Sequence, residues 1–382
     1  MNLDELRQQI DGIDSEIIRL FQDRMDISSK IAEYKRDNNL KIKDPARERA
    51  KLADVASKSR DDMQSYTCFL FGQLFELSRT YQNRLLSNGS ELALKVKNAI
   101  ENTPQVFPKS PMVACQGVEG AYSQLACGKM FQTPMIMYFN NFEGVFSAID
   151  NGLCQYGVIP IENSTAGSVN QVYDLMYRHD FKIVRSARLK VDHNLLVKPG
   201  TKLEDIKEIY SHPQALSQCS VFLSGLSEDV KVIPYPNTAE AAKMVAEAEG
   251  SACAAISSRS CGELYGLDVL CPSIQDKGNN YTRFICISKN LEIYPGADKT
   301  SIMLTTPHRP GSLYNVLGKF YELGINLLKL ESRPLPDRDF EFMFYFDVKT
   351  SIYSEEFIQM IDELSQISDE FRYLGSYSEV IE

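Results

Sequence analysis

Residues 158–169, VIPIENSTAGSV, form a short apolar run that leaves through Pro160 into a polar loop of Glu162, Asn163, Ser164 and Thr165. Gly167, near the end of that loop, is free to take backbone angles other residues avoid. An apolar strand followed by a polar loop is the pattern of a strand C-terminus in an α/β sheet, where functional groups gather. The same texture extends outward on both sides. Upstream stand MVACQG (112–117), with a helix from about Tyr122, and MIMYF (135–139), followed by EGVFSAIDNG (143–152). Downstream stand KEIYSHP (207–213), VKVIPYP (230–236) and ACAAISS (252–258), each before a helical stretch. Short β-rich runs alternating with helices predict an α/β region with partly parallel sheet over residues 111–289. Its length suits two lobes with a cleft between them.

The flanking segments differ in kind. In residues 1–89, Leu3, Leu6, Ile10, Ile13, Ile17 and Leu20, then Ile27, Ile31 and Tyr34, alternate spacings of three and four. That is a heptad seam. Such a helix spans roughly 50 Å, too long to bury its seam against so small a domain, so a partner chain is expected to cover part of it. Asp44 before Pro45 reads as an N-cap with proline at the first helical position. A third helix runs from about Asp62 to Leu86, with Tyr66, Leu70, Leu74, Leu77, Tyr81 and Leu85 on one face, and SNGS (87–90) stops it. A short amphipathic piece and TPQVFPKSP read as a linker over 90–110. Residues 299–382 give the order βαββαβ, a small α+β, ferredoxin-like sandwich.

The chain has 382 residues, with 41 Lys plus Arg against 51 Asp plus Glu and a net charge of −10. This argues against a general nucleic-acid or membrane-surface partner while leaving anionic substrates open. No window approaches the twenty apolar residues of a membrane span, and a soluble, cytoplasmic protein is expected. Nine cysteines without a CxxC pair read as buried free thiols. Four histidines lack metal-ligand spacing, and neither a P-loop nor GxGxxG follows a strand, so no metal and no cofactor are expected.

Arg24 occupies a seam position that calls for an apolar residue, and a guanidinium on a packed seam needs a counter-anion. Arg7 and Lys35 flank the seam; Arg47 and Glu48 follow one turn into the second helix; Ser78 and Gln82 sit four apart on the third. Surface salt bridges and a coiled-coil specificity device would use the same residues. ELRQQI, FQDRMD, AEYK, DPARER and ELSRTYQ together resemble the all-helical chorismate mutases in order and spacing. The resemblance places Arg7, Arg24, Lys35, Asp44, Arg47, Glu48, Ser78 and Gln82 at that family's active-site positions, with Arg7 reaching from the other protomer. The implied substrate is chorismate and the product prephenate.

In the α/β region, SHPQALSQC (211–219) reads by itself as a capped helix start, with Ser211 or His212 as the cap and Gln214 and Gln218 on one face. Thr282 opens the strand TRFICIS, and Arg283 alternates to the opposite face. Together with VIPIENSTAGSV, GVEGAYSQLA (117–126), AAISSRSCGELYGL (254–267) and NYTRF (280–284), these pieces resemble the prephenate dehydratase domain. The resemblance implies a two-lobed, periplasmic-binding-protein-like fold with Thr282 as the proton donor. Asn163, Ser164, Ser211, Gln214 and Gln218 then position the substrate, Ser123 meets a carboxylate, Glu162 orients its neighbours, and Arg283 either binds a carboxylate or holds the loop. PGSLYNVLGKFYELGINLLKLESRP (310–334) resembles the ACT regulatory domain. Gly311, Ser312, Leu313 and Tyr314 and then Glu331, Ser332, Arg333 and Pro334 fall at its amino-acid-binding motifs, and Ser312 departs from the usual Ala. The resemblance implies L-phenylalanine as effector and a homodimer or higher homo-oligomer. Arogenate as the dehydratase substrate, and a non-catalytic amino-acid sensor, are the alternatives.

Overall fold

The computed structural model describes residues 2–38, 40, 42–86, 90–308, 310–335 and 341–381. The chain divides into two compact units, Met1–Leu94 with Ile358–Ile367, and Lys95–Phe357 with Ser368–Glu382.

In the first unit, α1 (Leu3–Asp37), α2 (Pro45–Lys58) and α3 (Gln64–Leu86) pack with α1 and α2 each against α3. Asn2 caps α1 through a reciprocal box with Glu5, and Asp44 caps α2 by accepting from the Arg47 N–H ahead of Pro45. The expected SNGS stop falls on residues 87–89, outside the described residues. Of α1, only Ser28 and Ala32 are buried, whereas Leu3, Leu6, Ile10, Ile13, Ile17, Leu20, Ile27, Ile31 and Tyr34 are all more than two-fifths exposed. Within one chain the seam lacks a covering surface.

Residues 90–110 are less linker-like than their composition suggests, because α4 (Glu91–Asn102) takes up more than half of them and buries Ala93 and Val96. The second unit then opens with β1 (Met112–Gln116), α5 (Tyr122–Met130), β2 (Met135–Phe139), α6 (Phe142–Asp150), β3 (Tyr156–Asn163), β4 (Gly167–Ser168), α7 (Asn170–Arg178) and β5 (Lys182–Lys190). After a first crossing segment come β6 (Asn194–Val197), β7 (Glu208–Ser211), α8 (Pro213–Gln218), α9 (Ser220–Ser224), β8 (Lys231–Pro234), α10 (Thr238–Glu247), β9 (Cys253–Ser257), α11 (Arg259–Tyr265) and β10 (Asp268–Cys271). A second crossing segment returns to β11 (Tyr281–Ser288). The strands sort into two sheets, β10-β6-β9-β7-β8 and β5-β11-β3-β1-β2, the latter with β4 beside β3. These are two lobes joined by two strands of chain. Parallel pairs β1·β2, β1·β3, β7·β8 and β7·β9 match the expected α/β texture.

The remaining elements are β12 (Lys299–Thr305), α12 (Ser312–Glu322), β13 (Asn326–Pro334), β14 (Phe342–Lys349), α13 (Glu355–Ile367), β15 (Glu370–Tyr377) and β16 (Glu379–Ile381). Four of these strands form an antiparallel sheet in the order β13-β14-β12-β15. This sheet is fused to the first lobe rather than tethered. Met303, Leu335, Met343, Tyr345, Leu374 and Tyr377 share one core with Val145, Phe146, Tyr173, Ile183 and Ile285. Tyr173 meets Tyr345 edge-on with ring centroids 4.8 Å apart. Gly375, at φ 137°, brings β15 so close to β5 that any Cβ would collide with the Ile183 carbonyl. Finally β16, which composition gave no reason to expect, pairs with β5 and closes the edge of the larger sheet.

Candidate functional site

A pocket of about 570 Å³ lies among the first three helices. That size accommodates a small organic ligand. Arg24, Ser28 and Lys35 project into it from one stripe of α1, Asp44, Arg47 and Glu48 from the start of α2, and Ser78, Arg79 and Gln82 from α3. Arg24 donates to the Leu74 carbonyl at 3.0 Å and to Ser78 Oγ. Burial draws its pKa down, but a guanidinium keeps its charge. Lys35 donates to the Ile42 carbonyl, and Arg79 pairs with Glu48 and Glu76. Gln82 Nε2 donates to Ser28 Oγ at 2.8 Å, while its Oε1 is buried without a partner. The lining carries five cations (Arg24, Lys35, Arg47, Lys51, Arg79) against three carboxylates (Asp23, Asp44, Glu48). The seven residues expected here from one chain meet, and Arg7 is expected from the other protomer. Its side chain is 66% exposed and pairs only loosely with Asp4, at 3.5 Å.

A second polar cluster sits where the lobes join. Asn163, at the end of β3, donates from Nδ2 to Asn280 Oδ1 at 2.7 Å and to Thr282 Oγ1 at 2.9 Å. Its Oδ1 accepts from the Thr165 and Ala166 N–H groups, which shapes the loop, and Gly167 closes it at φ 82°. Ser164 and Tyr281 exchange bonds across the gap: Ser164 N–H donates to the Tyr281 carbonyl and Tyr281 N–H to Ser164 Oγ. Asn280 Nδ2 donates to Gln218 Oε1, which also accepts from His193 Nε2, both at 2.8 Å. Burial lowers the His193 pKa, and its buried Nδ1 has no partner. The network Thr282–Asn163–Asn280–Gln218–His193 therefore spans β3, β11, both crossing segments and α8.

Other expected members stand elsewhere. Ser211 is fully buried and donates to the Ile256 carbonyl at 2.6 Å, which ties β7 to β9. The strand's alternation turns it to the same buried side as Ile209. His212 is a cap, its Nδ1 accepting from the Gln214 N–H. Gln214 is exposed, Ser123 is buried, and neither joins the network.

Arg283 points away from Thr282. It is 5% exposed, forms an ion pair with Asp347 of β14, and places Nε 2.5 Å from Glu162 Oε1 without hydrogen-bond alignment. Its guanidinium is thus engaged with Asp347 and with Glu162 at the edge of the loop. The pairing of β11 with β3 slips between Arg283, opposite Glu162, and Phe284, opposite Pro160. The slip leaves Ile161 as a bulge, a local irregularity that re-aims side chains beside it. On β13, the alternating residues Lys329, Glu331 and Arg333 reach the α/β region: Lys329 to Glu162 and Ser168, Glu331 to Ser168 at 2.5 Å, and Arg333 to Asp174 at 3.0 Å. Ser332 and Pro334 lie on the exposed face. Gly311, at φ 84°, precedes α12, and the buried Ser312 Oγ has no partner.

Ser28, Arg79, Asn280, His193, Lys329 and Asp347 were not singled out as site residues from sequence. Ser28 could have been, since it lies one turn beyond Arg24 on the same stripe; Lys329 and Asp347 carry no local signal.

With both clusters described, the comparisons define the class: residues 6–83 match the family Chorismate mutase type II and residues 113–292 the family Prephenate dehydratase. A bifunctional chorismate mutase/prephenate dehydratase of Aquifex aeolicus is 31% identical over 99% of this chain and 98% of its own. Arogenate dehydratase 2 of Petunia hybrida is 36% identical over 69% of this chain and 71% of its own. Among solved structures, prephenate dehydratase of Arthrobacter aurescens in complex with L-Phe superposes with a TM-score of 0.64 at 28% identity, covering 70% of this chain and 89% of that one. The chain belongs to the bifunctional chorismate mutase/prephenate dehydratase family. It is an enzyme of aromatic amino-acid biosynthesis, an isomerase for chorismate and a lyase for prephenate. No described helix is long and apolar enough to cross a membrane.

Burial by itself would raise the Glu162 pKa, but Arg283 and then Lys329 pull harder, and it falls below its ordinary 4.5. A depressed carboxylate pKa contributes stability that is whole above 4.5 and is lost as pH falls through the folded value. The urea midpoint of the native chain should therefore exceed that of Glu162→Gln at pH 7, and the gap should shrink on acidification below about pH 4. A gap that stays constant would contradict the pairing.

Proposed function

We propose that chorismate rearranges in the pocket of the helical unit and that prephenate reacts at the Thr282–Asn163 edge. The observation that carries the first assignment is the excess of cations in the pocket lining of a chain whose net charge is −10. The rearrangement is pericyclic and needs no nucleophile or proton transfer, so placement and charge supply the catalysis. Arg24, with Arg7 of a second protomer, holds the two substrate carboxylates. Lys35 and Gln82 donate to the ether oxygen, where negative charge grows as its bond breaks. Glu48, with the backbone near Asp44, takes the ring hydroxyl, and Arg47 and Ser78 complete the lining.

Prephenate loses its ring carboxylate as carbon dioxide and its ring hydroxyl as water, leaving the aromatic ring of phenylpyruvate. The departing hydroxide needs a proton. Asn163 donates to Thr282 Oγ1, which leaves the Thr282 hydrogen free to point at the leaving oxygen and makes the hydroxyl a better donor. Glu162 is held ionised by its cations and serves to orient, not to protonate. Ser164, Gln218 and the adjoining amides position the substrate. The kinship with an arogenate dehydratase favours a second reading, in which the amino-acid counterpart of prephenate is also accepted.

The C-terminal βαββαβ element is read as an ACT-type module that binds L-phenylalanine near Gly311–Tyr314 and the Ser332 face of β13. Its support is the unpartnered Ser312 hydroxyl and the kinship with a dehydratase solved with L-Phe. The exposed α1 seam and the distant Arg7 support a homodimer in which each α1 completes the other's pocket. Nine free cysteines, most of them buried, support a reducing, cytoplasmic setting.

Feeding chorismate to the full chain and following prephenate and phenylpyruvate tests the assignment. Arg24→Ala should lower the first step by more than about a hundredfold and spare the second; Thr282→Ala should do the reverse, with prephenate accumulating. Phenylalanine should slow the second step. Loss of both activities in either folded variant would contradict separate sites. Ile10→Asp with Ile17→Asp should halve the light-scattering mass and depress the mutase step; a mass unchanged from the native chain would count against the seam.

A further inference from the structure

We propose that Asp347, in the C-terminal sheet, is a positioning residue for the dehydratase reaction: acting through Arg283, it holds β11 and the 162–168 loop in the register that seats Thr282. The inference rests on the assignment of Thr282 and Asn163 to that site.

Asp347 is fully buried, paired with Ser301 across β12 and β14, and accepts from Ser301 Oγ. Ser301 Oγ is itself fixed by Tyr377 Oη at 2.7 Å and accepts from Tyr345 Oη at 3.0 Å. The carboxylate thus presents a preset oxygen to Arg283. Arg283 is the next residue after Thr282, and its other anionic neighbour, Glu162, is the residue before Asn163. One guanidinium therefore lies between the C-terminal sheet and the two strands whose ends carry the Thr282–Asn163 hydrogen bond. Lys329 adds a second tie to the same Glu162 and to Ser168 Oγ at 3.1 Å.

These ties do more than attach one domain to another, because they converge on the place where the ladder slips. The bulge at Ile161 interrupts the regular pairing of β3 and β11 just before Glu162 on one strand and just after Arg283 on the other. Backbone hydrogen bonds alone do not hold that register firmly. If Asp347 loses its charge, Arg283 has only Glu162 left, and both shift to satisfy each other. Thr282 and Asn163, one residue away on either strand, must move with them. The dehydratase site is then built partly from a domain that contributes no residue to its surface.

The test uses the full chain. In Asp347→Asn, kcat for prephenate should fall by about tenfold to a hundredfold, the cost of small misplacement, with KM little changed. Chorismate turnover should be unaltered. A folded Asp347→Asn chain whose kcat lies within about twofold of the native value would overturn the proposal. Should the single change impair folding, Arg283→Met with Asp347→Leu removes both charges together, which restores stability to buried pairs. Recovery of the thermal midpoint with kcat still low supports positioning; recovery of both overturns it. Thr282→Ala is run alongside: an inactive Thr282→Ala beside an active Asp347→Asn sinks the positioning role alone, whereas full turnover in Thr282→Ala sinks the site assignment on which it rests.

Discussion

A buried guanidinium cannot shed its proton, so wherever the chain places one the structure must be arranged around its charge. Arg283 imposes this constraint on the second unit. Burial pulls its pKa down, but the Asp347 carboxylate outweighs that and holds the group firmly ionised. Removing one partner of such a pair typically costs about 3–5 kcal/mol, a large share of a domain's stability. Asp347, Glu162, Lys329 and the Ser301–Tyr345–Tyr377 hydroxyls all take their places from it. So does the joining of the C-terminal sheet to the first lobe, where the shared core and the close approach at Gly375 leave little room for an independent domain.

The helical pocket solves a different electrostatic problem. Its cations are only partly neutralised by protein carboxylates, and several donate to backbone carbonyls instead, as Arg24 and Lys35 do. Such a lining is suited to a doubly charged substrate that arrives and leaves. At the Thr282–Asn163 cluster the nearby charges pair with one another, and the network itself consists of a threonine hydroxyl, two asparagines, a glutamine and a histidine. The first cluster is thus built from charges and the second from neutral hydrogen-bonding groups.

What could be read from the sequence divides along range of interaction. The Asp44–Pro45 start of α2, the His212 cap, the heptad seam and the opposite facing of Thr282 and Arg283 all follow from residues within a turn or a strand of one another. The helix α4 was read as linker because Pro104 and Pro108 after it dominated the local composition. Asp347 and Lys329 were invisible for a stronger reason: they meet Arg283 and Glu162 only after 64 and 167 residues of chain have folded back, and no local pattern marks such an encounter. The exposed seam of α1 was the one long-range feature that could be anticipated, because its length outran any surface its own domain could offer.

Backbone amide exchange at Ser164, Thr165, Ala166 and Tyr281 measures the central claim most directly, since their hydrogen bonds define the loop register beside Thr282. If the C-terminal sheet holds that register through Arg283, these four amides should exchange at least about tenfold faster in Asp347→Asn than in the native chain, while Leu196 in the second lobe keeps its protection. Equal protection of all four amides in the two proteins would contradict the account.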